Sequence, residues 1–204
     1  VLIVTDTRII EQEQALAYIQ RCLQGQQNAY TDLYQLFVTG VYRLCYGIVL
    51  NEQDAEDVVQ ETFVYAFKNL NRYDASKSAF KTWLYTIAVS RCRNTYRRKQ
   101  FQQLDIHKLF NMEIAAPSSE HPEALVAHRV AEEALINALT EIPVTLREAI
   151  ILRYGHGLTY REIANVMGCP SKTAESRVRL AHDHLRKILQ QNEGQMLLDE
   201  LVSF

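Results

Sequence analysis

At 204 residues the chain can form one medium domain or two small ones, and its 48% apolar content is ordinary for a globular protein. No stretch approaches the roughly 20 consecutive apolar residues of a membrane span, and no basic segment leads into a long apolar run at the start, so a cytoplasmic chain without membrane insertion is expected. With a formal net charge of −2, charge carries information only where it is locally concentrated.

Cys22, Cys45, Cys92 and Cys169 lie far apart without a C-x-x-C pair, which reads as buried free thiols and not as a zinc site or disulfide framework. His182 and His184, two apart on a helix, point in different directions, so neither a metal nor a cofactor is expected. With no G-x-S-x-G elbow, Walker loop, G-x-G-x-x-G or H-E-x-x-H, an enzyme is not expected either.

Glycine and proline are scarce, at 7 and 4, and apolar residues recur at helical spacing through most of the chain. The expectation is an all-α protein: two small helical domains joined by a flexible acidic linker, the second containing a helix-turn-helix. In DAEDVVQETFVYAFKNL (54–70), Ala55, Val59, Thr62, Phe63, Ala66, Phe67 and Leu70 share one face, and Asp57, Gln60, Glu61, Val64 and Lys68 share the other. NRYDASKSAF (71–80) has no apolar period and reads as a loop. KTWLYTIAVSRCRNTYRRKQ (81–100) carries six Lys and Arg and no acid. On a wheel, Leu84, Ile87, Ala88, Cys92 and Thr95 form a packing arc opposite a polar stripe of Thr86, Ser90, Arg93 and Arg97.

The first domain is placed at 1–103. A linker with proline, paired serine and excess acid follows at 104–121, then a second helical domain at 122–191 and an acidic, partly apolar tail at 192–204. Within the second domain, Thr159 and Glu162 make a capping box, Ile163, Ala164 and Met167 a buried face, and Gly168 a left-handed stop. Ser171 is the expected N-cap of a second helix packed through Ala174, Val178, Ala181, Leu185, Ile188 and Leu189. Lys172, Thr173, Glu175, Ser176 and Arg179 point outward near its start, where a helix-turn-helix reads the major groove; in a plain helical bundle the same charges would be a solvated face.

DAEDVVQETF (54–63), FKTWLYTIA (80–88), REAIILRYGHGLTYREIANVMG (147–168) and SRVRLAHDHLR (176–186), in that order, resemble the extracytoplasmic-function sigma factors of bacterial RNA polymerase, which keep only regions 2 and 4. The resemblance covers most of the chain. It implies a transcription initiation factor that binds core RNA polymerase and directs it to specific promoters; a stand-alone helix-turn-helix regulator is the alternative. By this resemblance Asp54, Glu56, Asp57, Gln60, Glu61 and Val64 meet the clamp helices of the largest polymerase subunit. Asn71, Arg72, Tyr73, Asp74, Ser76, Lys77, Lys81, Trp83, Ser90, Arg93, Asn94, Arg97 and Arg98 receive and melt the minus-ten element, where extruded bases occupy pockets and cations follow the strand. Arg91 joins them as a phosphate contact, and Trp83 and Tyr85 also suit core packing. Ser171, Lys172, Thr173, Glu175, Ser176, Arg177 and Arg179 read the minus-thirty-five element, and an anti-sigma factor is an implied further partner. Ser90 and Asn94 replace the Asn and Asp usual in the family, and Lys172 and Glu175 stand where Gly and Lys are common. Glu175 is suited to accept from a cytosine amino group.

Overall fold

The computed structural model describes the backbone of residues 2–106 and 134–191 and the side chains of residues 8–99 and 134–190. Helices α1 (Leu2–Leu23), α2 (Gln27–Val49), α3 (Glu52–Lys68) and α4 (Phe80–Ile106) form a first bundle, with a 3₁₀ turn at Leu70–Arg72. The second unit is α5 (134–141), α6 (Val144–Ile150), a wider π turn at Ile151–Gly155, α7 (Tyr160–Met167) and α8 (Ser171–Gln191). No strand occurs among the described residues.

Spacing explains the first bundle. Ala29, Leu33, Phe37, Val41, Leu44, Cys45 and Ile48 recur every three or four residues along α2 and are all buried. They meet α3 through Val58, Val59, Thr62, Phe63 and Ala66, with edge or tilted aromatic contacts from Tyr30 to Phe67 and Tyr34 to Phe63. Asn51 caps α3 by accepting from the Asp54 amide at 2.9 Å. The predicted outward residues Asp57, Gln60, Glu61, Val64 and Lys68 are all exposed.

Helix α4 is buried over more than its predicted arc. Leu84, Ile87, Ala88, Cys92 and Thr95 are buried as expected, and so are Phe80, Thr82, Tyr85 and Val89. Tyr85 and Val89 are covered because they share one continuous core with Leu152, Ile163, Ala164 and Met167 of the second unit, whereas Phe80 packs on Phe37 of α2 at 5.3 Å. Two glycines inside α2 mark the close approaches. A Cβ at Gly47 would stand 3.1–3.4 Å from the Ile151 side chain, and one at Gly40 would stand 2.9 Å from the Tyr85 hydroxyl. A smaller core of Ala138, Leu139, Ile142, Ile150, Ala181, Leu185 and Leu189 closes α5, α6 and α8 on one another, with Leu50 against it.

The capping box of α7 is present in both directions, and Gly168 closes that helix at φ 64°. Ser171 is not the cap of α8. The Pro170 carbonyl accepts from the amides of Thr173 and Ala174 at 2.9 and 3.1 Å, so Pro170 occupies the capping position and Ser171 is the first helical residue. Helix α4 runs on to Ile106, three residues past the predicted domain end, since nothing in Leu104–Asp105–Ile106 stops a helix. The rest of the predicted linker, the opening of the second domain at 122 and the tail at 192–204 lie outside the described residues.

Candidate functional site

The outward face of α3 presents Glu56, Asp57, Gln60 and Val64 to solvent, Val64 at 51% exposure. Asp54 differs: it pairs with Lys99 of α4, and its side chain is mostly covered. Glu61 is exposed and lies 4.0 Å from Arg91, whose guanidinium stacks on the Tyr65 ring at 4.9 Å. Arg91 therefore leans toward α3 and away from the polar stripe of α4.

The 71–79 loop is held by its own side chains. Asp74 accepts from the amide and hydroxyl of Ser76, bonds that hold its carboxyl below the ordinary range. Tyr73 donates to the Ser78 carbonyl at 3.0 Å, accepts from Gln12 at 3.1 Å and packs on Phe80 and Trp83. Burial pushes its hydroxyl pKa up. Tyr73 and Trp83 thus anchor the loop, and Asn71, Arg72, Ser76 and Lys77 remain exposed around them. Two residues of α1 that the sequence reading missed complete the arrangement: Gln12 accepts from the Phe80 amide at 2.9 Å, and Glu11 pairs with Lys81 at 3.1 Å. No local pattern marks either, because both act across about seventy residues.

Beyond the loop, Ser90, Asn94, Arg97 and Arg98 are exposed along α4. Arg93 is not free. It donates from Nε and Nη2 to the two carboxylate oxygens of Glu148 at 2.8 and 2.6 Å, and these bonds, led by the side-chain hydrogen bond, raise its pKa. Glu148, in α6, has a fully covered side chain. Beside the pair an open cleft of about 660 Å³ is bounded by Tyr96, Arg97, Lys99, Met167 and Arg177.

Arg147, next to Glu148 and 4% exposed, ties the two units together. Its Nη1 donates to the Ile48 carbonyl at 2.9 Å and to the Tyr96 hydroxyl, and its Nη2 donates to the carbonyls of Thr140 and Ile142 at 3.1 and 3.2 Å. Those carbonyls lie at the C-terminal ends of α2 and α5, where unpaired acceptors and the helix dipole favour a cation. Its Nε has no partner among the described residues. Nearer the start of α4, His156 meets the Tyr85 hydroxyl at 3.0 Å. Burial, with Lys81 and Arg43 nearby, pulls the imidazole down to about 4.

At the start of α8 the predicted set divides. Lys172, Glu175, Ser176 and Arg179 border a concavity of about 320 Å³ together with Tyr154, Tyr160 and His182, none of which the sequence reading placed at this surface. Ser171 is exposed and Thr173 half-buried, whereas Arg177 faces the cleft near Arg93. Lys172 and Glu175 approach to 3.9 Å.

An acidic helix face, a basic stripe behind an ordered loop and a capped helix-turn-helix stand in this order along one chain. Residues 33–102 match the sigma-70 region 2 family and residues 132–185 the sigma-70 region 4 family. Over 188 residues the chain is 31% identical to the RNA polymerase sigma-H factor of Pseudomonas aeruginosa, covering 89% of this chain and 97% of the relative. Over 171 residues it is 33% identical to the ECF RNA polymerase sigma-E factor of Escherichia coli, covering 81% and 88%. The chain belongs to the extracytoplasmic-function sigma factors.

This sigma factor is an alternative-sigma transcription initiation factor, with region 2 in the first bundle and region 4 in the second unit. Its fold is similar to that of the sigma factor RpoE of Bartonella quintana, solved with the anti-sigma factor NepR. There the TM-score is 0.64 at 24% identity, with 79% of this chain and 96% of that one covered. CnrH, solved with the cytosolic domain of CnrY, also aligns at a TM-score of 0.64 and 24% identity, covering 89% and 97%. Among the described residues no helix is long and apolar enough to cross a membrane.

Proposed function

We propose that this sigma factor binds the clamp helices of core polymerase through Glu56, Asp57, Gln60, Glu61 and Val64, with Asp54 at the edge of that surface. The observation that carries the reading is the outward face of α3: acids of one sign around an exposed valine, on a helix whose other face is fully packed. The minus-ten element is received by the exposed loop residues Asn71, Arg72, Ser76 and Lys77 and the exposed stripe of Ser90, Asn94, Arg97 and Arg98, joined by Arg93. Tyr73, Asp74, Lys81 and Trp83 shape that surface from beneath. Lys172, Glu175, Ser176 and Arg179 read the minus-thirty-five element, with Ser171 and Thr173 at the helix start. Arg177 joins them from the cleft side.

The protein is not itself an enzyme, and it is held inactive by an anti-sigma factor. Residues 1–103 and 122–191 act as the two functional domains, the linker 104–121 joins them, and 192–204 is a separate tail. Run-off transcription with purified core polymerase tests this reading. Specific transcripts are expected only when the chain is added, and their absence at every promoter selected by genome-wide run-off would defeat it.

A further inference from the structure

We infer that the cleft beside Arg93 is a binding site for a small phosphate-bearing ligand of the nucleoside di- or triphosphate class, held by Arg93, Arg97 and Arg177. The site goes beyond the two promoter surfaces and does not rest on them. It brings Arg93 and Arg97, from the basic stripe of α4, and Arg177, from α8, to the walls of one concavity. Glu148 takes only the Nε and Nη2 edge of the Arg93 guanidinium, at 2.8 and 2.6 Å, and Nη1 has no hydrogen bond among the described residues. That second edge is open to the cleft.

The charges on the walls do not cancel. Glu148 is the only acid there among the described residues, and Arg93 neutralises it; Lys99 is neutralised in turn by Asp54. Arg97 and Arg177 have no ion pair among the described residues, so two guanidinium groups from different helices are left without a counter-ion around the same space. An anion between them relieves their repulsion, and guanidinium forks match the paired oxygens of a phosphate. The cleft measures about 660 Å³, within the range of small-molecule sites and far larger than one phosphate fills. Val144 and Met167 add apolar wall beside the cations, which suits a ligand with a flat apolar base at one end and phosphates at the other.

The test uses the full chain in metal-free buffer at fixed ionic strength, because exposed charge pairs weaken with salt. Isothermal titration calorimetry compares ATP, GTP, inorganic triphosphate and adenosine. At least one of the two nucleotides is expected to bind at a single site, inorganic triphosphate several-fold more weakly, and adenosine not measurably. Arg97→Ala and Arg177→Ala should each weaken nucleotide binding about tenfold. Arg186→Ala removes the same charge from an exposed position of α8 outside the cleft, and should stay within about twofold of the wild type. Thr145→Glu places an acid on the cleft wall without altering any residue assigned to the promoter or to polymerase, and should also cost about tenfold. An acid in the first turn of α6 suits that helix, and circular dichroism checks the fold of every variant.

No binding of either nucleotide up to about 5 mM overturns the site. So does wild-type affinity in Thr145→Glu, which would put the anion elsewhere, or a loss in Arg186→Ala equal to that in Arg177→Ala, which would reduce the effect to general positive charge. Inorganic triphosphate binding as tightly as ATP and GTP would overturn the nucleoside part of the assignment, since Val144 and Met167 would then contribute nothing.

Discussion

Helices α3 and α4 are neighbours in one bundle, and each carries a band of like charge opposite a packed face. The acidic band of α3 meets water, with Glu56, Asp57 and Gln60 exposed. The basic band of α4 is shared between water and the protein's own second unit, which pairs with Arg93 and covers Tyr85 and Val89. The difference shows that a polar helix face does not report its own partner. One band is largely open to solvent, whereas the other is partly covered by region 4.

The comparison breaks most completely at Arg147, which holds region 4 onto the bundle. Arg147→Ala removes donors from the carbonyls of Ile48, Thr140 and Ile142. It should lower unfolding free energy by about 3 kcal/mol, since a charged donor lost from buried acceptors is among the costlier changes. Urea titration followed by circular dichroism measures it; a change within the range of ordinary surface substitutions would mean that the joint does not depend on Arg147.

His156 makes the same joint depend on pH. Its folded pKa, about 4, lies below the ordinary value near 6.5, so the unfolded chain takes up the proton first. Its contribution is therefore whole above pH 6.5, falls as pH drops toward 4 and has gone below that. The predicted loss is up to roughly 3 kcal/mol across that window. His156→Gln should flatten this part of the stability–pH curve, and an identical curve in the mutant would remove His156 from the account.

The α3 side of the comparison is sharpened by Asp57→Lys with Glu61→Lys. Both residues are exposed, so folding should be unchanged while core-polymerase affinity drops about tenfold. Wild-type affinity in a core-binding assay would remove the clamp assignment. The smallest effect is expected at Arg97, which is exposed and has no ion pair among the described residues. Arg97→Ala should weaken open-complex formation only a few-fold and reduce the salt slope by about one phosphate contact. An unchanged slope would take Arg97 off the strand.

Much of the local structure was legible beforehand. The packing residues of α3 and α8, the capping box at Thr159 and Glu162 and the left-handed Gly168 are all set by neighbours within a turn or two, which periodicity and capping chemistry report directly. The cap of α8 was misplaced by one residue because Pro170, not the better hydrogen-bonding Ser171, holds the first carbonyl. The supporting roles of Glu11 and Gln12 were invisible because their partners lie in α4.

The sequence by itself determined that the chain is helical, which face of α3, α7 and α8 packs, where the loop and the helix-turn-helix lie, and, by resemblance, the family. Only the tertiary structure decided what the polar faces meet. Arg93 has the same spacing from its neighbours whether it faces water, a phosphate or a carboxylate, and Glu148 lies in a stretch whose local pattern says nothing about α4. Helical periodicity records how often a side chain turns toward a packed surface, but the identity of that surface is set by contacts between residues dozens of positions apart. At Arg93 and Glu148 such a contact joins the two halves of the promoter-recognition machinery.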